Sequence, residues 1–261
     1  VLVRSWGLSL LGQTPTPILQ IAGALDPRTE KNAGYWPDFD SSALVVDREL
    51  FVCGENGWVY KIPLWRQQAF YEPERVVRER KLWQTVYTPH LSPLAFESLK
   101  RSGGYCSIES SPAVTDRRIY LATGAGMVLG LNRETLKLEF QFSTGDDTDA
   151  SVVVNQGGYL FVAAECDYGG TNQTSLYKLD PNVPPDQWSK AVLWSRTFAA
   201  YPQKGGASHF DNLDAGILGT PALGPGPGGE PEARLYVAVA TRPGKEGWLA
   251  CLDSRTGATI W

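Results

Sequence analysis

The chain contains, at residues 247–261, the stretch Gly247-Trp248-Leu249-Ala250-Cys251-Leu252-Asp253-Ser254-Arg255-Thr256-Gly257-Ala258-Thr259-Ile260-Trp261. An apolar run leads through Leu-Asp to a Thr-Gly turn, and a Trp closes the segment. Less complete copies begin at Gly57, Gly126 and Ser175. Because one small sheet cannot bury both of its faces, a repeated unit of this size indicates an architecture in which the units stack on one another.

The same order of parts surrounds each copy. A β-branched and aromatic run precedes it, at Leu50–Cys53, Ile119–Ala122, Leu160–Ala163 and Leu235–Ala238. A run with an aromatic residue closes each unit, at Trp83, Phe140, Trp194 and Trp261. Short apolar runs punctuated by Gly, Asp, Asn and Pro favour antiparallel strands. Units of four strands predict an all-β chain, a β-propeller built from four-stranded antiparallel blades.

The closing turn and the closing aromatic have separate predicted roles. Asp253 is expected to accept hydrogen bonds from backbone amides in the turn, and Gly257 to supply a positive φ. Trp261 and its counterparts are expected to fill the wedge between neighbouring blades, where a large flat side chain buries most area. A β-sandwich also shows turns at this spacing, but it does not need the same aromatic in every unit.

The repeat resembles the tryptophan-docking repeats of quinoprotein-type β-propellers. That family includes alcohol dehydrogenases that bind pyrroloquinoline quinone (PQQ) and a cofactor-free, BamB-like branch. The openings Asp38-Phe39-Asp40-Ser41-Ser42 and Asp147-Thr148-Asp149-Ala150-Ser151 resemble that family's entry into the innermost strand. The resemblance covers residues 40–261 and is weakest in the first unit, where Pro63-Leu64 replaces Asp-Pro or Asn-Arg. Similarity of this kind identifies a fold better than an activity.

The repeats divide a single propeller domain, residues 1–261, into about four blades. The predicted boundaries are 38–105, 106–146, 147–213 and 214–261, with residues 1–12 as the outer strand of a neighbouring or closing blade. Relatives in the resembling family close with seven or eight blades, so we expect these blades to form part of a larger ring. The alternative is that residues 1–12 complete the last blade of a small closed ring.

Composition limits the partners. The net charge is −4 and there is no basic run, so binding of nucleic acid through its phosphates is not expected. No segment approaches 18 consecutive apolar residues, so no membrane span is predicted in this sequence. The resembling family suggests an extracytoplasmic location, in the periplasm or at the cell surface.

Two insertions interrupt the repeat. Residues 65–105 carry alternating charges with aromatic residues among them, and residues 195–216 include His209 and Asp214. Each is either a solvated excursion or an arm that binds a protein partner, because long loops on a rigid scaffold are where propellers place function.

The four cysteines show no CxxC spacing, so a zinc site is not expected. Cys53 and Cys251 lie within strand runs and are predicted to be buried. Cys106 precedes the first strand of the second unit and Cys166 follows the second strand of the third. Their blades are neighbours, so a disulfide between them is sterically conceivable.

No catalytic motif emerges. The chain has two histidines, no HExxH, no GxSxG and no Walker loop, and no metal site is predicted. Quinoprotein dehydrogenases stack their cofactor on a disulfide between adjacent cysteines, and this chain has no adjacent cysteines. Asp40, Glu109 and Asp149 occupy equivalent positions and are expected to gather at the channel mouth. There they would hold a cation or a basic peptide, or simply cap strand ends.

Two functions remain. The first is a non-catalytic propeller scaffold that contributes a surface to a larger extracytoplasmic assembly. This scaffold is expected to bind no cofactor, neither PQQ nor calcium. The second is a fragment of a PQQ-dependent dehydrogenase whose active site lies outside this segment.

Overall fold

Four antiparallel β-sheets follow one another along the chain and form the blades of a β-propeller. The predicted fold class is therefore confirmed. The computed structural model describes residues 3–7, 16–21, 39–54, 58–63, 78–81, 107–167, 171–202, 214–242 and 245–261. Among these residues, no helical segment has the length and apolarity that crossing a bilayer requires.

The first two blades are simple meanders in which consecutive strands pair. They follow a separate two-stranded sheet formed by β1 (Val3–Gly7) and β2 (Thr16–Ile21). Blade 1 comprises β3 (Leu44–Val46), β4 (Glu49–Cys53), β5 (Trp58–Pro63) and β6 (Arg78–Lys81). Blade 2 comprises β7 (Ala113–Val114), β8 (Arg118–Thr123), β9 (Met127–Asn132) and β10 (Leu138–Ser143).

The last two blades share an edge. The next strands are β11 (Val153–Val154), β12 (Leu160–Ala163), β13 (Glu165–Cys166), β14 (Gln173–Leu179) and β15 (Val192–Ala199). A 3-10 helix at Pro185–Lys190 precedes β15. Then come β16 (Ala215–Gly216), β17 (Ala222–Gly224), β18 (Arg234–Arg242) and β19 (Glu246–Asp253). Blade 3 is β11-β12-β14-β15. In blade 4, β17, β18 and β19 are the first three strands, and residues 259–261 lie in the place of the fourth, bridged to β19 between Leu252 and Thr259. The short strand β16 pairs with both β13 and β18.

The core lies between blades rather than within one sheet. Phe161 and Leu176 of blade 3 and Leu235 and Val237 of blade 4 belong to one buried cluster. Fully burying such a side chain stabilises the fold by about 1.5–3 kcal/mol. Each blade therefore depends on its neighbour for the burial of its apolar faces.

The turn after the third strand forms as the sequence predicts in blade 4. The Asp253 Oδ1 atom accepts hydrogen bonds from the backbone N–H groups of Arg255 and Thr256, each at 3.0 Å. Gly257 then adopts a φ of +70°. Blade 2 repeats this turn with Asn132 as the acceptor. Leu136 takes the positive-φ position there, with a φ of 55°.

This turn receives an aromatic side chain from the preceding blade. The Trp194 indole donates a hydrogen bond to the Ser254 carbonyl at 3.2 Å. Its ring lies so close to Gly257 that a Cβ atom added there would stand 2.8 Å from two ring carbons. Trp194 also packs against Phe161 of its own blade, with ring centroids 5.9 Å apart. The Trp thus connects blades 3 and 4.

Charged side chains also join neighbouring blades, and one of them contacts the turn on which Trp194 docks. Lys178 of blade 3 donates to the Ser254 carbonyl of blade 4 at 3.1 Å. Lys61, which has the same strand register in blade 1, forms ion pairs with Glu49 at 2.9 Å and with Glu134 of blade 2 at 3.1 Å. These lysines therefore act as links between blades.

The predicted aromatic positions differ in their surroundings. Phe140 is fully buried and contacts Trp188 of blade 3. Trp194 docks on blade 4, whereas 60% of Trp261 is exposed. Trp83 lies outside the described residues. Within the described part of the chain β1 pairs with β2 alone, so the place of residues 1–12 in a blade stays a prediction.

Gly257→Ala should lower the free energy of unfolding by about 2–4 kcal/mol. The substitution forces an L residue into a positive φ, costing about 1–2 kcal/mol, and pushes its Cβ into the Trp194 ring. Gly229→Ala is the matched control, because Gly229 also has a positive φ of +83° but open space around it. Urea denaturation of both variants measures the difference. Equal losses would contradict the docking of Trp194 on this turn.

Candidate functional site

A ladder of hydrogen bonds joins the entries of the four innermost strands. The Ser42 N–H donates to the Ser111 hydroxyl at 2.9 Å, and the Ser111 N–H to the Ser151 hydroxyl at 2.8 Å. The Ser151 N–H donates in turn to the Thr220 hydroxyl at 3.1 Å. The ladder holds equivalent residues of successive blades side by side.

This ladder positions the predicted carboxylates. Asp40, Glu109 and Asp149 each stand two residues before a ladder serine, so the three side chains belong to adjacent blades. Asp149 interacts electrostatically with Asp40 and is hydrogen-bonded to Glu109. In the fourth blade Leu218, which is partly exposed, occupies the corresponding position. The carboxylate series therefore ends at blade 3.

Two further carboxyl groups complete the cluster. Glu165 lies on β13 with only 2% of its surface exposed, and its backbone N–H donates to the Asp147 carbonyl at 2.8 Å. The Glu165 side chain is hydrogen-bonded to Asp149. We call Asp40, Glu109, Asp147, Asp149 and Glu165 the carboxyl cluster.

Burial and mutual repulsion favour the protonated forms of Asp147, Asp149 and Glu165. The pKa of Glu165 is raised to about 11, mainly by desolvation and in addition by the charges of Asp149 and Asp147. Desolvation is also the main cause that raises the pKa values of Asp147 and Asp149. Hydrogen bonds from Glu165 and Glu109 offset part of the increase at Asp149. Carboxyl groups this close cannot all ionise, so they share protons.

The cluster has a structural role at its inner end. The Asp147 Oδ1 atom accepts a hydrogen bond from the Thr148 N–H at 2.7 Å. The Thr148 and Thr144 hydroxyls lie 3.0 Å apart, and both bond to the Asp146 carbonyl. Within the described ranges, no three His, Cys, Asp or Glu side chains form a group that could hold a metal ion. The geometry present is that of protonated acids tying blade entries together.

Of the two cysteines in the predicted disulfide, the structure describes only Cys166. Cys166 is fully buried on β13, and its Sγ atom lies 3.7 Å from the Ala200 carbonyl oxygen. Cys106 lies outside the described residues, so the pairing of the two cysteines stays a prediction. Cys53 and Cys251 are buried, as the sequence predicts.

The predicted insertions contain blade strands. Residues 195–199, expected to begin a loop, continue β15 to Ala199, so that expected boundary is wrong. Most side chains of β15 are exposed or partly exposed, which explains why its polar sequence resembles a loop. The connection to β16 is residues 200–214, of which 203–213, including His209, lie outside the described residues. In the insertion 65–105, Arg78–Lys81 forms β6, and the remainder is likewise outside them.

The sequence did not single out Asp147 or Glu165 as site residues. Glu165 follows the apolar strand β12 directly, and an acidic residue there is a signal for a buried, protonated carboxyl group. Glu165 lies on β13, a short extra strand that the repeat pattern does not contain, where it contacts Asp147 of the same blade.

Comparisons with solved structures support the fold. BamB from Moraxella catarrhalis matches with a TM-score of 0.50 and 15% identity, over 85% of this chain and 52% of that one. Quinohemoprotein alcohol dehydrogenase from Comamonas testosteroni matches with a TM-score of 0.52 and 12% identity, over 86% and 34%. The related enzyme ADHIIG from Pseudomonas putida HK5 matches with a TM-score of 0.51 and 14% identity, over 87% and 34%.

The chain thus spans about half the length of BamB and about a third of the length of each of the two alcohol dehydrogenases. No family model and no curated protein matches the sequence. At these identities the likeness shows the β-propeller fold and leaves the family open.

Glu165→Gln should raise stability at pH 8 and flatten the pH dependence of unfolding. In the unfolded chain Glu165 titrates near its ordinary pKa of about 4.3. Its pKa in the folded protein is about 11, so folding takes up a proton between these values. The stabilisation is complete below the lower pKa and is lost as pH rises. Urea denaturation from pH 5 to pH 9 measures the change.

Glu139→Gln is the control with the opposite sign. Hydrogen bonds from Arg118 and Asn132 lower the pKa of Glu139, so its stabilisation is present at neutral pH and lost on acidification. This variant should be less stable at pH 7 and less sensitive to acid. A pH profile of Glu165→Gln that parallels the parent protein would contradict the protonated state of the cluster.

Proposed function

We propose that the chain is a non-catalytic β-propeller scaffold that binds other proteins within a larger extracytoplasmic assembly. The observation that carries this proposal is that buried charged side chains form hydrogen bonds and ion pairs within the fold. Arg118 donates to Glu139 and to the Pro181 carbonyl, and Arg133 forms ion pairs with Asp47 and Glu49. Those side chains hold strands and blades in place.

The inner carboxyl cluster supports the same proposal. Its buried members hold protons and hydrogen-bond to one another, which suits a rigid joint between blade entries. The sequence also lacks the adjacent cysteines on which the resembling dehydrogenases stack their quinone. The structural likeness to BamB agrees with a scaffold role in the periplasm or at the cell surface.

The partner surface is proposed to lie on the long connections. Residues 200–214 and the insertion 65–105 outside β6 are the segments that interrupt the blade repeat. At the edges of the first connection, Tyr201 and Asp214 are exposed. Long loops carried by rigid blades can change without loss of the core, so binding residues collect there.

The second candidate is a fragment of a PQQ-dependent dehydrogenase, which the likeness to two alcohol dehydrogenases keeps open. Adding PQQ with calcium should leave the Tm of the chain unchanged if it is a scaffold. A cofactor present at 100 times its Kd would stabilise the fold by about 2.7 kcal/mol. For a chain of this size that corresponds to roughly 5–10 °C. Differential scanning calorimetry of the protein as isolated from its source, which includes any active site outside residues 1–261, distinguishes the two, and a rise of this size would favour the dehydrogenase.

Replacing residues 203–213 with a short Gly-Ser linker should abolish partner association and change the Tm by only a few degrees. The replaced residues lie between β15 and β16 and include neither strand. The measurement is chemical cross-linking in cells of the source organism, followed by mass spectrometry of the cross-linked species. In a second variant, matched to the first, the segment 84–104 is shortened and β6 is retained. Unchanged cross-links in both variants, with both folded, would contradict the proposed surface.

A further inference from the structure

Two buried lysines occupy the same strand register in different blades. Lys61 of blade 1 pairs across its sheet with Phe51. Lys178 of blade 3 pairs in the same way with Phe161. Only 5% of Lys61 and 7% of Lys178 is exposed. Because a buried cation needs an opposite charge or hydrogen bonds in place of water, the two junctions can be compared by what each lysine contacts.

Lys61 has two carboxylate partners. Glu49, two residues before Phe51, lies 2.9 Å from the Lys61 Nζ atom, and Glu134 lies 3.1 Å from it. Glu134 belongs to the turn of blade 2, where its backbone N–H donates to the Asn132 side chain at 3.0 Å. The charge of Lys61 is thus neutralised from its own blade and from the next one.

The junction of blades 3 and 4 has other residues at both carboxylate positions. Tyr159, two residues before Phe161, stands at the first position. Arg255 stands at the second, because its backbone N–H donates to the Asp253 side chain in the turn of blade 4. This junction therefore has the lysine without either of the two glutamates.

The described residues provide no ion-pair partner for Lys178. Its Nζ atom donates to the Ser254 carbonyl at 3.1 Å and lies 4.9 Å and 5.4 Å from the ring centres of Tyr159 and Phe161. An ammonium group has three N–H donors. Lys178 can therefore donate to a further acceptor without giving up its bond to the next blade.

A cleft between blades 3 and 4 reaches this lysine. Its volume is about 560 Å³, which suits a small organic ligand. Burial lowers the pKa of Lys178, the charge of Asp253 partly opposes this change, and the charge of Arg255 adds to it. An anion between the two cations would offset their repulsion. We call this the Lys178 cleft, and its lining includes Tyr159, Lys178, Pro227, Pro231 and Arg255.

The acidic side chains around the Lys178 cleft have partners of their own. One oxygen of Asp253 lies 3.7 Å from Arg255 and 3.9 Å from Arg234. Glu230 and Glu232 each accept a hydrogen bond from a loop N–H, at 3.1 Å and 2.8 Å. These acids hold loops and arginines in place, and among the described residues none lies at ion-pair distance from the buried lysine.

We propose that the Lys178 cleft binds an organic acid, whose carboxylate takes the place that two glutamates take beside Lys61. The carboxylate accepts hydrogen bonds from the Lys178 ammonium group. Arg255, with 80% of its side chain exposed, turns toward the same carboxylate from the solvent side. The apolar part of the acid packs on the aromatic and proline side chains of the lining. This inference goes beyond the proposed function and does not depend on it.

Saturation-transfer NMR with phenylacetate tests the site. Phenylacetamide is the matched probe, because it has the same ring and nearly the same shape without the charge. It should bind about tenfold more weakly or worse, since hydrogen bonds to a charged acceptor are the stronger ones. An N-acetylated, C-amidated peptide with one glutamate presents the same group as a side chain. Binding of phenylacetate alone assigns a small acid, and binding of the peptide alone assigns an acidic protein segment.

Three variants locate the binding. Lys178→Met keeps the length of the side chain and removes its charge, so it should abolish the saturable signal of the carboxylate probes. Arg255→Glu places in blade 4 the acid that Glu134 provides in blade 2. It should weaken phenylacetate binding about tenfold or more without lowering the Tm, because the new carboxylate neutralises the buried ammonium group. Lys190→Glu makes the same change of charge at an exposed position outside the cleft and should leave binding unchanged.

Equal binding of phenylacetate and phenylacetamide would overturn the proposal, and so would the absence of a saturable signal from both carboxylate probes. Unchanged binding in folded Lys178→Met would overturn it as well. If that variant does not fold, unchanged binding in Arg255→Glu, which alters an exposed side chain, has the same consequence. Displacement of phenylacetate by inorganic phosphate at a lower concentration would mean that the assigned ligand class is wrong.

Discussion

The contact between the Trp194 side chain and the turn of the next blade is the constraint on which the packing of blades 3 and 4 depends. Trp194 requires a residue without a side chain at position 257, a carbonyl at Ser254, and an aromatic partner at Phe161. One Trp therefore fixes the distance and the angle between two sheets. Because a single four-stranded sheet has no core of its own, this contact determines which apolar faces are buried.

A second constraint acts at the inner ends of the blades, where the hydroxyl ladder and the carboxyl cluster meet. The ladder sets equivalent residues of neighbouring blades side by side, and it thereby brings acidic side chains closer than their charges would allow. Protonation resolves the conflict, so Asp149 and Glu165 can hydrogen-bond to each other. The inner ends are thus held by hydrogen bonds of the protonated Glu165, whereas the junction of blades 1 and 2 uses ion pairs such as Lys61 with Glu134.

Local features of the fold could be predicted from the sequence, and features that depend on a neighbouring blade could not. The Asp253 turn and the positive φ of Gly257 are local, and both were predicted correctly. The exposed β15 was mistaken for a loop beyond Trp194, because an outer strand tolerates polar residues. Glu165 was missed because it lies on β13, a short extra strand that the repeat pattern does not contain. Trp194 and Trp261 look alike in sequence and differ in burial, because the turn of blade 4 covers Trp194.

A double-mutant cycle between Trp194→Ala and Gly257→Ala tests the central claim most directly. If the Trp ring rests on this turn, Gly257→Ala loses its steric cost once the ring is absent and retains only its backbone strain. The free energies of unfolding should then be coupled by at least about 1 kcal/mol, as is typical of residues in contact. Additive losses within about 0.3–0.5 kcal/mol would mean that the two residues act independently. That result would contradict the docking contact as the basis of blade packing.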